Sequence, residues 1–89
     1  MAAQVTERKV RGILLAAFPG MKIDEMKRPY PGGKIGGVLI WGGFRGLEQV
    51  DRQEKVWEAL RAKLTDEERE SLSLMITLTP SELRSIRAA

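Results

Sequence analysis

Apolar residues first recur at helical spacing at Val10, Ile13, Leu14, Ala17 and Phe18, just after Thr6, whose hydroxyl suits an N-cap. The pattern predicts an opening helix that Pro19-Gly20 stops. From Met21 to Arg28 the alternation is imperfect, carried by Ile23 and Met26, and reads as a strand. Pro29-Tyr30-Pro31-Gly32-Gly33 follows as a dense turn signal. The run from Gly36 to Phe44 is too glycine-rich for a helix and reads as a buried strand centred on Val38 to Trp41. The two strands are expected to form a hairpin with a long, mobile connection.

A second helix is predicted from about Asp51, with Val56, Leu60 and Leu64 four residues apart and Trp57 beside them. It ends near Leu64, because Thr65-Asp66-Glu67-Glu68 has the form of a capping box that starts a short further helix. Leu72 to Leu78 is rich in apolar and β-prone residues and reads as a third strand. Thr79-Pro80-Ser81-Glu82 is a second capping box, with proline at the first helical position, and opens a C-terminal helix carrying Leu83 and Ile86. The order α-β-β-α-α-β-α predicts an α/β (α+β) domain with a three-stranded mixed sheet. The crossover to the third strand should be right-handed and place the helices on one face. The other face should stay partly open unless the terminal helix covers it. Trp41, Phe44 and Trp57 are expected in the core or at its edge.

A length of 89 residues fits a single domain over 1–89, with an ordered core over about 6–87. The chain has no cysteine and no histidine. Those absences exclude disulfides, thiolate nucleophiles, serine–histidine triads, histidine zinc sites and histidine-bound haem. Asp, Glu, Lys and Tyr remain for acid–base work, but no set of them can be placed in a common cleft, so an enzyme is not expected. Neither a cofactor nor a metal is expected. The longest apolar stretch near the start, Gly12 to Phe18, is far shorter than a membrane span of about 20 residues, and no signal-peptide order precedes it. The expectation is a cytoplasmic protein without a membrane partner.

Charge divides the chain. Residues 1–46 carry eight basic and three acidic groups, a net of +5, whereas residues 47–89 carry a net of −2. The split suggests a basic surface contributed by the first half, set against the plainer reading of ordinary surface charge. Gly33-Lys34-Ile35-Gly36 is a Gly-x-x-Gly with a lysine inside, but it joins strands, and a flexible hairpin connection accounts for its glycines. The same stretch meets neither the P-loop nor the dinucleotide pattern. Asp66, Glu67, Glu68 and Glu70 cluster at a capped helix start, where the helix dipole explains them without a metal. The helix pair from Asp51 to Leu64 and from Asp66 to Glu70 is a weak helix-turn-helix, its surface diluted by Glu48, Asp51, Glu54 and Glu58.

With that order in place, the chain resembles the BolA family, whose fold is like that of class II KH domains. The resemblance rests on Gly37-Val38-Leu39-Ile40 followed by Phe44-Arg45-Gly46, on Val50-Asp51-Arg52 entering the central helix, and on the last strand followed by Thr79-Pro80-Ser81-Glu82. It implies a scaffold used in transcriptional regulation, with DNA or RNA association, and contact with monothiol glutaredoxins around a shared [2Fe–2S] cluster. Two departures bear on function. The family's Arg-His-Arg reads Arg52-Gln53-Glu54, and Ser71 stands where its cluster-ligating histidine is expected. The second ligand, Cys or His, is missing from Pro29 to Gly37. Cluster ligation therefore does not carry over.

Two functions remain in view. The first is a non-enzymatic regulatory domain that binds DNA or RNA weakly, with Lys34, Arg45, Arg52 and Lys55 as contacts. The second is an adaptor for a protein such as a glutaredoxin-like partner, using an open sheet edge, the hairpin loop or the terminal helix, with Tyr30, Ile35 or Trp41 in an exposed apolar patch. The oligomeric state is left open.

Overall fold

Thr6 accepts a hydrogen bond from the Lys9 amide at 3.1 Å, and the helix it caps, α1, runs Glu7–Ala17 in the computed structural model, which describes residues 5–88. Residues 1–4, part of the polar start expected from the sequence, and residue 89 lie outside the described residues. Past α1 the chain reverses at Gly20, whose φ of +85° is strained for any residue with a Cβ. The Met21 amide then bonds the Phe18 carbonyl at 3.1 Å and leads into β1, Lys22–Lys27.

β2 is Ile35–Ile40, followed by a 3₁₀ turn at Gly42–Phe44 and by α2, Gln49–Lys63. Next come α3, Asp66–Arg69, β3, Leu72–Leu78, and α4, Pro80–Ala88. The element order is the expected one. The sheet order is β1-β2-β3, antiparallel in the first pair and parallel in the second, so the sheet is mixed and β2 is its centre. Both capping boxes form: Thr65 with Glu68, and Thr79 with Glu82.

One feature differs from expectation. β2 is not centred on Val38 to Trp41 but runs from Ile35 to Ile40, because the Ile35 amide donates to the Ser71 carbonyl at 2.7 Å and so starts the parallel ladder early. A partner 36 positions away in sequence leaves no local mark. Trp41 correspondingly falls just past the strand, and its indole N–H donates to the Pro19 carbonyl at 2.9 Å. Arg28 braces the hairpin connection, donating to the carbonyls of Val5 and Gly33 while its amide donates to Glu7, and Gly33 closes a turn onto Tyr30.

The core lies between one sheet face and the first two helices. Val10 and Leu14 of α1, Val56 and Leu60 of α2, and Ile35, Leu39 and Met75 of the sheet are fully buried with Phe44. Each such aliphatic side chain contributes about 1.5–3 kcal/mol when removed from water. Phe18, Trp41 and Phe44 pack as an aromatic group, with Trp41 at 5.0 Å from Phe18 and edge-on to Phe44 at 5.3 Å between ring centroids. Trp41 and Trp57 are partly buried against the core, as expected of edge residues. Side chains alternate along β2, so Val38 and Ile40 point to the opposite face from Leu39. There α4 covers one end, with Leu83 beside Ile40, and leaves Leu74 and Ile76 exposed at 67% and 50%.

Two glycines predict opposite outcomes on gaining a methyl group. A Cβ at Gly37 would stand 2.5 Å from the Glu25 carbonyl oxygen across the hairpin, so Gly37→Ala should lower unfolding stability by about 1–3 kcal/mol in urea titration. A Cβ at Gly12, inside α1, meets nothing, and Gly12→Ala should raise stability by about 1 kcal/mol in the same measurement.

Candidate functional site

Arg52, Val56 and Leu60 are spaced four apart and form the buried stripe of α2. An arginine in such a stripe needs an anion and acceptors to be there at all. Arg52 has them: its Nε donates to the Leu47 carbonyl at 2.9 Å, and its two terminal nitrogens meet the two carboxylate oxygens of Glu82 at 2.7 and 3.1 Å. A longer contact of 3.3 Å reaches the Thr77 carbonyl. The guanidinium carbon also sits 5.8 Å from the centroid of the Phe44 ring. Glu82 is held from a second side, because its Oε1 accepts the Thr79 amide at 2.8 Å as the third residue of the α4 capping box.

The same face of α2 also lines the outer edge of β3. Carbonyls of alternate strand residues point to opposite sides, and that of Leu78 accepts the Trp41 amide on the β2 side. Those of Met75 and Thr77 face outward, where Gln53 donates to the first at 2.7 Å and Gln49 to the second at 3.1 Å. The Thr77 hydroxyl completes the pairing by donating to Gln49 Oε1 at 2.5 Å.

The four residues expected to touch nucleic acid are not brought together. Lys34 is exposed just before β2 and Arg45 is exposed beyond its far end, so a strand of about 20 Å separates them. Lys55 is exposed on α2, beside a shallow groove that also includes Ala17 and Glu58. Arg52 was expected among them but is 5% exposed, with its donors turned inward to Leu47, Thr77 and Glu82. A phosphate reaches it only after the Glu82 pair opens. The missing signal was its position on the apolar stripe, four residues before Val56.

Of the apolar residues expected in an exposed patch, Tyr30 is exposed, Ile35 is fully buried, and Trp41 is half-buried with its N–H engaged. On the outer sheet face the exposed aliphatics are Leu74 and Ile76. The acidic run at α3 is a helix start, with Glu68 turned inward to Lys9 at 2.7 Å. Among the described residues no three metal-ligating side chains converge. The residues around the start of β3 do not fit an iron–sulfur cluster, since Ser71 offers a hydroxyl rather than an imidazole and the facing connection, Pro29 to Lys34, has no thiol.

The Arg52 guanidinium, with the Thr79 amide behind it, holds the Glu82 carboxyl well below its usual 4.5, at about 2. Glu68 is lowered too, first by the Lys9 ammonium and then by the Thr65 amide. Both carboxylates therefore favour the folded state fully above pH 4.5, and Glu82 loses its share as pH falls from there toward 2. The urea midpoint should fall across that window, and the fall should be smaller in Glu82→Gln. At neutral pH that substitution should cost about 2 kcal/mol, below the 3–5 of a fully buried pair, because the Glu82 side chain is 43% exposed.

No protein-family model matches the sequence, and no curated protein matches it. Among solved structures, a BolA protein homologue from Coxiella burnetii superposes with a TM-score of 0.69 at 17% sequence identity, covering 91% of this chain and 99% of the other. The helix order, the mixed three-stranded sheet and that superposition together give the chain a BolA-like fold.

Proposed function

We propose that the protein is a non-enzymatic regulatory domain that binds nucleic acid weakly through exposed cations of its first half and ligates no iron–sulfur cluster. The observation that carries the reading is the charge split: a net of +5 over residues 1–46, with Lys34 and Arg45 exposed, on a BolA-like scaffold. Lys55 adds a third exposed cation from α2, while Arg52 serves the scaffold. Because Lys34 and Arg45 flank β2 at opposite ends, the contacts suit a strand laid along the domain rather than a compact pocket. Phosphate contacts of this kind position a nucleic acid without reading its sequence.

A second reading is favoured by one feature. Leu74 and Ile76 leave aliphatic surface on the outer sheet face, which suits an adaptor that docks a protein such as a glutaredoxin-like partner.

Fluorescence anisotropy with single- and double-stranded DNA and RNA separates the two. With three phosphate contacts, affinity for a single strand should fall roughly 20-fold between about 50 and 200 mM salt. Lys34→Ala, Arg45→Ala and Lys55→Ala should each lower the salt slope by about 0.7. Absence of binding at low salt sinks the nucleic-acid reading, whereas a protein complex lost on Ile76→Asp, and indifferent to salt, supports the adaptor.

A further inference from the structure

We propose that the cleft between α1 and α4, where the chain enters β1, is a binding site for an amphiphilic anion: an alkyl chain ending in a carboxylate or phosphate. This site lies apart from Lys34, Arg45 and Lys55 and does not depend on nucleic-acid binding. The cleft has a volume of about 470 Å³, within the range of about 300–1,000 Å³ usual for small-molecule sites. It wraps the sheet edge, so that α1 supplies one wall from the core side and α4 the other from the outer face.

Each helix contributes the same pair of chemistries. On α1, Arg11 and Leu15 are four apart and share a face; on α4, Leu83 and Arg87 do the same. Ile40 and Met21 complete an apolar floor between them. Leu15 remains 42% exposed, an aliphatic side chain facing the cleft that the fold itself does not cover. Lys22, at the first position of β1, adds a third cation.

The charge in the cleft is unbalanced. Asp24 is the single carboxylate in the lining, and it stands 3.9 Å from Arg87, at the limit of an ion pair, with both side chains largely in solvent. Arg11 and Lys22 make no ion pair among the described residues. Three cations against one carboxylate leave a net of about +2 around an apolar floor, which matches a ligand with one anionic end and one apolar body.

The groove between α1 and α2 is larger, at about 560 Å³, but it is bordered mainly by alanine and glycine, and of its two cations Lys9 is already paired with Glu68, which leaves Lys63 alone where the α1–α4 cleft has three. The α1–α4 cleft has no aromatic side chain in its lining, so a nucleobase would find no ring to stack on there.

The test is a chemical-shift titration of the ¹⁵N-labelled full chain with decanoate and with decyl phosphate below their micelle concentrations, alongside decanol, inorganic phosphate and an oligothymidine. Decanoate or decyl phosphate should shift the amides of residues 11–15, 22–24 and 83–87 together. Decanol and phosphate should each bind at least about tenfold more weakly, since each lacks half of the recognised chemistry. Lys22→Glu and Leu15→Asp should weaken binding by about tenfold or more with the thermal midpoint held, while Ala62→Asp in the other groove should leave it unchanged. Co-sedimentation with phosphatidylglycerol vesicles, lost on Lys22→Glu, would assign the anion to a membrane lipid; titration by decanoate without co-sedimentation assigns it to a free amphiphile. Shifts confined to the α1–α2 groove, equal binding of decanol, or oligothymidine occupying the cleft that decanoate leaves untouched would each overturn the proposal.

Discussion

A positive charge placed on the buried stripe of a helix has to be neutralised where it stands, and the fold of this domain is arranged around that requirement at Arg52. The guanidinium reaches the loop before α2 at Leu47, the last strand at Thr77 and the start of α4 at Glu82, and so ties three segments together. Leaving such a charge unpaired in the interior costs several kcal/mol, so the three segments must arrive together. The Glu82 carboxylate is held by the Thr79 amide as well as by Arg52, so the capping box orients the acceptor that the guanidinium meets. The α4 cap and the α2 stripe are thus one structural unit.

The aromatic group transmits that unit to the other end of the domain. Phe44 lies under Arg52 and meets Trp41 edge-on, and Trp41 returns through its N–H to Pro19 just past α1. Gly43 allows this path, because a Cβ there would fall within about 2.5 Å of the Trp41 ring. Gly43 is therefore set by packing, whereas Gly46, at a φ of +80°, is set by the turn.

Much of this was legible in the sequence, and the division follows the range of each interaction. The two capping boxes are written in four consecutive residues each, and the third strand in a run bounded by turn signals, so both are legible with the bounds they have. The start of β2 depends on Ser71, and the fate of Arg52 depends on Glu82, 30 positions later. Arg52 and Lys55 are basic residues three apart on one helix, and composition cannot tell them apart. Their exposures differ because 52 shares the phase of Val56 and Leu60 whereas 55 does not. The α1–α4 cleft was out of reach for the same reason: its walls come from opposite ends of the chain.

The glutamines on α2 carry one more consequence, for what the domain does at high concentration. Growth of a β-fibre by edge-to-edge stacking needs two free edges on every subunit. Gln49 and Gln53 occupy the outward carbonyls of β3, which leaves β1 as the free side of the sheet, and β1 carries a register break at Asp24. An edge whose carbonyls are already engaged is a poorer template for a further strand. Two amide side chains facing an edge strand thus count against self-assembly, a property written in the polar face of a helix rather than in the strand it protects.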